Sequence, residues 1–518
     1  MLAAGSGALL ALAFPKFNLL PLGMVALLPL LIHVAREASG LRRFLGGFLG
    51  GTLFFAGTCY WLYPVQREYG GLNAMEASGV LLLLVVVMAL YWGIFGWLAG
   101  RCWKLSWGPL AVPFLWVALE YARAHALTGF PWLLTGYLLT DYFPLARLAR
   151  WTGVYGLSYL TVAIPVAILW PFLKPSKLAA LHLLALMGLV GALAFIPVEA
   201  LPVADQSAFL VQTNVPQQVA LETWDSKTQS PLFERLAKLT LDAVPEQKSP
   251  SLVVWPEMPA HFYFHEDGFT RPYAQRMARQ TNSHFLMGIV AFVPGSEREK
   301  ALNSSVLLAP NGGLVSQYDK IHLVPFGEYV PWRERLSFAS SLTAEVSDFT
   351  AGRKHVVSPI PGGQLATFIC YEAIFPDLIR RFVNNGAGVL VNLSNDGWFG
   401  DSAARHQHLL MARMRAIEND RYVLRATNTG MTAVIAPNGK IVSELPPDKS
   451  GVLKASWAFG TTKTFYTEYG DLFAMGSSGL ALLGCLFALA QREEGAVRGK
   501  RGGAKSANPL KKADKKRK

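Results

Sequence analysis

Cysteine and charge are both scarce in this chain of 518 residues. It has four cysteines, and charged residues make up 16% of the sequence. Four scattered cysteines are too few for a disulfide framework, and they lack the spacing of a zinc site. So low a charged fraction, beside 52% apolar residues, argues against a purely soluble enzyme. The composition therefore predicts a protein with membrane-spanning segments.

The long apolar runs lie at the two ends of the chain and leave a central block with the composition of a globular domain. A span needs roughly 20 residues to cross a hydrocarbon core. The first run is shorter, so we expect either a half-span or a start codon assigned at the wrong position. A cleaved signal peptide is less expected, because no basic segment precedes the run. Eight candidate spans follow from these runs: 2–14, 18–34, 44–63, 79–100, 107–121, 151–172, 178–196 and 472–490.

The positions of lysine and arginine predict the orientation in the membrane. Basic residues favour the cytoplasmic side, and those of segments 36–43, 101–104, 174–177 and 492–518 fall on alternate loops of an eight-span layout. The basic loop between spans five and six is the exception. The predicted domains are a seven-span membrane domain (1–199), a periplasmic catalytic domain (200–469), an eighth span (470–491) and a disordered basic cytoplasmic tail (492–518).

The net charge of +13 is concentrated in that tail. Basic tails beside a span more often set the topology or contact anionic lipid than bind nucleic acid. We therefore expect membrane lipid, and no nucleic acid, among the partners of this protein.

The central block alternates short strands with amphipathic helices, which predicts α/β layering. Asn-Gly turns at 310–313 and 437–440 predict that some strand pairs are antiparallel. The predicted strands are 208–212, 252–255, 284–290, 304–309, 364–369, 388–393, 422–426 and 432–436, and the predicted helices are 231–243, 271–280, 376–385 and 406–419.

Three chemically capable residues of this block lie at or near predicted strand ends. Glu257 follows Ser-Leu-Val-Val-Trp-Pro, Lys320 closes Gln-Tyr-Asp-Lys, and Cys370 follows Leu-Ala-Thr-Phe-Ile. A cysteine thiol needs a neighbouring base or cation to become a nucleophile at neutral pH. Glu257 can accept that proton, and Lys320 can stabilise an oxyanion. Taken singly, each residue has an ordinary alternative: a structural thiol, a helix cap and a solvated surface charge.

Together these residues resemble the catalytic triad of the nitrilase, or carbon–nitrogen hydrolase, superfamily. Three further motifs, between apolar runs at both ends, look like those of the apolipoprotein N-acyltransferase family: His322-Leu-Val-Pro-Phe-Gly-Glu-Tyr-Val-Pro331, Asn395-Asp-Gly-Trp-Phe-Gly400 and Arg415-Ala-Ile-Glu-Asn419. Phe130-Pro-Trp-Leu133 fits the membrane region of that family. The resemblance implies a multi-pass α-helical membrane region joined to an α/β nitrilase-like αββα sandwich.

The resemblance also implies roles for individual residues. Glu257 becomes the general base, Lys320 the transition-state stabiliser and Cys370 the nucleophile. Glu328 becomes a second active-site carboxylate, with an arginine ion pair as its alternative. The remaining implied site residues are Tyr371 and Glu372 beside the nucleophile, with the Tyr371 N–H as a second oxyanion donor, and the loop aromatics Trp224, Trp398 and Phe399, for which simple packing is the alternative.

The implied reaction is a ping-pong acyl transfer without metal or cofactor. Cys370 would take the sn-1 acyl chain of a phospholipid such as phosphatidylethanolamine and pass it to the α-amine of a diacylglyceryl-cysteine at an apolipoprotein N-terminus. The family also implies a monomer in the bacterial inner membrane. We further expect the apolar segment 260–264 to exclude water and dip toward lipid. Two alternatives stay open: a membrane-anchored amide or nitrile hydrolase, and a non-enzymatic scaffold with a degenerate site.

Overall fold

A computed structural model describes residues 2–196, 200–222, 226–245, 251–266, 268–295, 300–331 and 349–505. Within these ranges the chain first forms a helical region, then a two-sheet sandwich, and then a long closing helix. The helices of the first region are Leu2–Ala13 (α1), Leu20–Gly23 (α2), Leu28–Arg36 (α3), Gly40–Cys59 (α4), Leu62–Glu68 (α5), Ala74–Cys102 (α6), Ala111–His125 (α7), Phe143–Ala146 (α8), Ala149–Thr152 (α9), Val154–Leu173 (α10) and Lys177–Phe195 (α11).

Four helices of the described chain are long and apolar enough to cross a membrane: α6, α10, α11 and the segment Leu472–Gln491. A fifth candidate is the pair α4 and α5, which is bent by 48° at a short break. The other predicted spans correspond to shorter helices. The region is thus consistent with a membrane domain, and the eight-span layout stays a prediction.

Small residues allow the membrane-region helices to approach closely. A Cβ atom at Gly47 of α4 would lie 2.2 Å from the backbone oxygen of Trp92 on α6, and one at Gly96 of α6 would lie 2.4 Å from that of Arg43. Glycine is required at both positions because any larger residue would separate the two helices. This packing is typical of helix pairs in membranes, where backbone proximity replaces hydrophobic driving force.

The second region contains two six-stranded sheets. The strands are Gln206–Gln212 (β1), Ser251–Val254 (β2), Ser283–Phe292 (β3), Ala301–Leu308 (β4), Leu314–Asp319 (β5), Ser358–Ile360 (β6), Gly363–Ile369 (β7), Val389–Ser394 (β8), Val423–Thr427 (β9), Ala433–Ile435 (β10), Ile441–Glu444 (β11) and Gly451–Trp457 (β12). The sheet orders are β12-β1-β2-β3-β4-β5 and β11-β10-β9-β8-β7-β6. Strands β1, β2 and β3 are parallel to one another, as are β7, β8 and β9, whereas the remaining neighbours pair antiparallel.

The two sheets pack face to face through alternate residues of their strands. Leu210 and Val254 of the first sheet share one buried cluster with Val391 and Leu424 of the second. Helices cover the outer faces and complete an αββα sandwich, as predicted. The remaining helices are Gln217–Glu222 (α12), Ser226–Ala243 (α13), Thr270–Gln280 (α14), Pro376–Asn384 (α15), Ala403–Asn419 (α16), Phe465–Tyr469 (α17) and Leu472–Lys505 (α18).

All eight predicted strands and all four predicted helices of this region are present, and both Asn-Gly turns join antiparallel neighbours. Four strands were not predicted. Two of them, β6 and β11, are short edge strands, and β6 contains a proline, which is tolerated at a sheet edge. The strands β5 and β12 are the two edge strands of the first sheet. They are only partly buried, so their sequences lack a long apolar run.

Helix α16 joins the sandwich to the membrane region. One of its faces packs on the second sheet through Leu409 and Ala412. Its opposite face belongs to the apolar cluster of the membrane helices through Met411 and Met414. Residues on every side of this helix are consequently buried, and the sandwich lies directly against the membrane-region helices.

Candidate active site

Three strand ends bring the predicted triad to one edge of the sandwich. Glu257 lies three residues beyond β2, Lys320 directly follows β5, and Cys370 directly follows β7. The strands β2 and β7 belong to different sheets, and their carboxyl ends meet because the sheets face each other. A hydrogen bond of 2.9 Å from the Asn395 N–H, just after β8, to Glu257 Oε2 joins the two sheets at this edge.

Lys320 is the centre of a buried ion cluster. Its Nζ lies 3.2 Å from Glu257 Oε1 and 2.8 Å from Glu328 Oε1, and its side chain is 1% exposed. Burial lowers the pKa of Lys320, but the charges of Glu257 and Glu328 outweigh burial, so the pKa is raised overall. The ammonium therefore stays charged at physiological pH and can stabilise negative charge that develops nearby.

Asn303 on β4 holds the two carboxylates in place. Its Nδ2 donates to Glu257 Oε1 at 2.9 Å and to Glu328 Oε1 at 2.8 Å. Glu328 also accepts from the Val324 N–H through Oε2 at 2.8 Å. The structure thus brings Glu328 to the triad, and its cation partner is Lys320 rather than an arginine. Sequence reasoning missed Asn303, because an asparagine inside a strand carries no motif of its own.

Cys370 is held in a backbone conformation that few residues adopt. Its φ is +48°, in the left-handed region, where an L-residue costs about 1–2 kcal/mol. The residue starts the 3₁₀ turn Cys370–Ile374 and is 6% exposed. Strain of this kind at a strand-to-helix turn is a recurrent way to present a nucleophile.

The electrostatic surroundings of Cys370 favour the neutral thiol at rest. Burial raises its pKa most strongly and the Glu257 charge raises it further, whereas Lys320 acts in the opposite direction. A thiol in this environment needs a neighbouring base before it can act as a nucleophile. Glu257 is the carboxylate whose charge acts most strongly on that thiol, which suits it to accept the proton.

Glu372 stabilises the turn that begins at Cys370. Its Oε1 accepts from the Tyr318 hydroxyl at 2.7 Å and the Ile321 N–H at 2.7 Å, and its Oε2 accepts from the Ile369 N–H at 2.7 Å. Burial raises the pKa of Glu372 to about 6, although these hydrogen bonds oppose the shift. This side chain ties the end of β5 to the end of β7, so it fixes Lys320 relative to Cys370.

The aromatic candidates occupy different places. Tyr371 directly follows Cys370, and its ring centroid lies 5.3 Å from that of Phe375. Phe399 packs 5.1 Å from Trp61, and Trp398 packs 5.2 Å from Tyr69, so both contact aromatic rings of the membrane region. Trp224 lies outside the described residues.

The expectation for segment 260–264 is wrong for its two phenylalanines. Phe262 and Phe264 are fully buried in the core beneath the first sheet, beside Trp255 and Phe233. They stabilise the sandwich and are not available to contact lipid. The sequence could not distinguish core packing from lipid contact here, because a loop segment suited to either role is apolar.

A second buried polar cluster lies behind Cys370, and sequence reasoning missed it. His408 Nε2 is 3.0 Å from the Cys370 carbonyl oxygen, and His408 Nδ1 is 3.0 Å from Asp396 Oδ1. Asp396 Oδ2 in turn accepts from Arg425 Nη2 at 2.6 Å. Burial alone would raise the pKa of Asp396, but Arg425 and His408 lower it, so this carboxylate is ionised.

Two family models match the two regions of the chain. Residues 210–465 match the carbon-nitrogen hydrolase family model, and residues 6–167 match the model of the apolipoprotein N-acyltransferase N-terminal domain. Among solved structures, Nit3 of Saccharomyces cerevisiae is similar over 49% of this chain and 89% of its own, with 20% identity and a TM-score of 0.36. An amidase of Nesterenkonia AN1 has 16% identity and the same TM-score, over 52% of this chain and 95% of its own.

Full-length relatives share both regions of the chain. The apolipoprotein N-acyltransferase of Geobacter metallireducens is 37% identical over 492 residues, which is 92% of each chain. That of Methylococcus capsulatus is 33% identical over 96% of this chain and 98% of its own. With the two-part architecture and the clustered Glu257, Lys320 and Cys370, this similarity shows that the chain is an acyltransferase of the apolipoprotein N-acyltransferase family.

Proposed function

We propose that this enzyme transfers a fatty acyl chain from the sn-1 position of a phospholipid to the α-amine of a diacylglyceryl-cysteine at the N-terminus of an apolipoprotein. The similarity to full-length apolipoprotein N-acyltransferases supports N-acylation of a lipoprotein. The observation that carries the proposal is the buried cluster of Glu257, Lys320 and Glu328 around Cys370. This cluster has the parts that a thiol-based acyl transfer requires: a base, an oxyanion stabiliser and a nucleophile.

In the first half-reaction, the Cys370 sulfur attacks the ester carbonyl as Glu257 takes its proton. The carbonyl electron pair moves onto oxygen, where the Lys320 ammonium and the Tyr371 N–H stabilise it. The intermediate collapses, the C–O bond breaks, and the departing alkoxide receives the proton from Glu257. A lysophospholipid leaves and a thioester remains on Cys370.

In the second half-reaction, the free amine of the acceptor attacks the thioester carbonyl. Glu257 takes a proton from the amine, the same donors stabilise the oxyanion, and the Cys370 thiolate leaves and is reprotonated. The acceptor leaves as an amide. Because Cys370 is 6% exposed, little water reaches the thioester, which favours transfer over hydrolysis.

The direct contact between the catalytic half and the membrane-region helices supports lipid substrates. Tyr371 and Phe375, beside the nucleophile, belong to the same apolar cluster as the membrane helices. A soluble small-molecule hydrolase has no need for this contact. The proposed partners are therefore a phospholipid donor and a lipid-modified protein acceptor, with the enzyme acting as a monomer that needs no cofactor.

We also propose that the catalytic domain (200–469) faces the periplasm from the bacterial inner membrane, between the seven-span domain (1–199) and the eighth span (470–491). The basic loops and the basic tail (492–518) would then be cytoplasmic. In a Cys370→Ser background, a Lys440→Cys variant on an exposed hairpin should react with an impermeant maleimide in spheroplasts. A Lys511→Cys variant in the tail should not, and the reverse pattern would contradict this orientation.

The distinguishing experiment for the chemistry uses a phospholipid with a labelled sn-1 chain. The acyltransferase should retain the label until a diacylglyceryl-cysteine peptide is added, and the label should then appear on the peptide amine. A Cys370→Ala variant is the matched control and should retain none. Immediate release of free fatty acid with no transfer would instead indicate a hydrolase, and full activity of the control would indicate that Cys370 is not the nucleophile.

A further inference from the structure

The cluster behind Cys370 touches the nucleophile only through the backbone. His408 is fully buried on α16, and its Nε2 faces the Cys370 carbonyl oxygen at 3.0 Å. A backbone carbonyl can only accept, so Nε2 must carry the hydrogen, whatever the protonation of Nδ1. The carbonyl of residue 370 and the N–H of residue 371 belong to one peptide group. The hydrogen bond from His408 therefore acts on the group that contains the proposed second oxyanion donor.

We propose that His408 is a positioning residue that polarises the Cys370–Tyr371 peptide group and so strengthens the Tyr371 N–H as an oxyanion donor. This inference rests on the proposed function. Hydrogen bonds in a chain polarise one another, and donation to a peptide oxygen makes the N–H of the same peptide a better donor. The bond also holds the Cys370 carbonyl in the orientation that the left-handed φ imposes.

Charged groups fix the imidazole ring from the opposite side. His408 Nδ1 lies 3.0 Å from Asp396 Oδ1 and 3.2 Å from Arg425 Nη2. Asp396 is held in turn by Arg425 and by the Ser394 hydroxyl at 2.9 Å. All of these side chains are buried, so the ring cannot turn without losing its buried polar contacts with Asp396 and Arg425.

Aromatic rings from the membrane region and from the sandwich pack against the same ring. The Trp132 indole stacks on His408 with centroids 6.1 Å apart and an interplanar angle of 22°, and Phe399 meets the ring edge-on at 5.9 Å. Trp132 Nε1 donates to Gln407 Oε1 at 2.8 Å, which anchors the indole to α16. This arrangement gives Trp132 of the Phe-Pro-Trp-Leu segment a role: it couples the membrane region to the backbone of the nucleophile.

The test separates oxyanion stabilisation from placement of the sulfur by comparing two reactions of Cys370. Acylation by phospholipid develops an oxyanion, whereas alkylation by iodoacetamide displaces iodide at a saturated carbon and does not. In the full-length enzyme, His408→Leu should slow single-turnover acylation about tenfold, less than the loss of a whole oxyanion donor. Alkylation should stay within about twofold of the unaltered rate, because sulfur placement and base are retained.

Two further variants ask whether the donor itself matters. A glutamine at 408 can place its amide Nε2 near the histidine Nε2 position, whereas asparagine is one methylene too short. We expect His408→Gln to restore acylation and His408→Asn to remain as slow as His408→Leu. If the leucine variant does not fold, the glutamine and asparagine variants still compare acylation with and without a hydrogen-bond donor to the Cys370 carbonyl oxygen. His406→Gln, a histidine two residues away on α16, is the matched control and should acylate normally.

Three results would overturn the inference: a parallel fall of acylation and alkylation, which would show that His408 only places the sulfur; unchanged acylation in His408→Leu; or glutamine and asparagine variants that acylate equally. Failure of the unaltered enzyme to form any adduct at Cys370 is a different result. It would contradict the proposed function itself, before any variant of His408 is compared.

Discussion

Replacement of Lys320 by methionine should affect stability and activity through different physical causes. The Lys320 ammonium lies within 3.2 Å of two carboxylates and its side chain is 1% exposed. Methionine has a similar length but leaves Glu257 and Glu328 buried without a cation. Breaking a buried ion pair in this way costs about 3–5 kcal/mol. Loss of one oxyanion donor should separately slow acylation by about 100- to 1000-fold.

A double variant separates these two effects. Lys320→Met with Glu328→Gln removes one of the stranded charges, so it should regain about half of the lost stability. It should regain none of the acylation rate, because the oxyanion stabiliser is still absent. Stability is measured by tryptophan fluorescence on heating in detergent, and acylation by the rate of label uptake from phospholipid. Lys454→Met, at an exposed lysine on β12, is the control and should match the unaltered enzyme in both measurements.

The reasoning would be refuted by a Lys320→Met variant that keeps both its melting temperature and an acylation rate within about tenfold of normal. Equal stability of the single and double variants would contradict only the account of the buried charges. It would leave the proposed role of Lys320 in acylation unaffected.

Two further predictions concern residues around the triad. Asn303→Leu removes two hydrogen bonds to carboxylates, each worth about 1.5–3 kcal/mol, so the melting temperature should fall clearly below that of the unaltered enzyme; an unchanged value would contradict its bridging role. Burial lowers the pKa of His322 to about 4, so the unfolded chain binds more protons than the folded protein between pH 4 and its ordinary value near 6.5. Stability should therefore rise with pH across that window, by about 3 kcal/mol from this residue, and a His322→Phe variant should lose that part of the rise in a pH series of unfolding measurements.

The sequence predicted secondary structure and turns correctly where a local pattern of residues determines them. The buried strands that end near Glu257 and at Cys370 are continuous apolar runs, and both Asn-Gly turns specify hairpins. The motifs around Glu257, Lys320 and Cys370 predicted that these residues form one site, and the structure brings all three together with Glu328. The membrane boundaries were less predictable, because several apolar runs form helices shorter than a full span.

The groups that support the triad depend on contacts between distant segments. Asn303 reaches Glu257 because β3 pairs with both β2 and β4, and that register is not visible in either segment alone. His408 reaches Cys370 because α16 lies between the second sheet and the membrane helices. Neither residue type at its position differs from an ordinary polar residue, so only the three-dimensional arrangement assigns them a role.

The most direct test of the central claim is mass spectrometry of the intact enzyme after exposure to phospholipid without acceptor. The account predicts a mass increase of one acyl chain, mapped to Cys370, that hydroxylamine removes and that a diacylglyceryl-cysteine peptide discharges. An enzyme that transfers acyl chains to the peptide while Cys370 never carries one would contradict it.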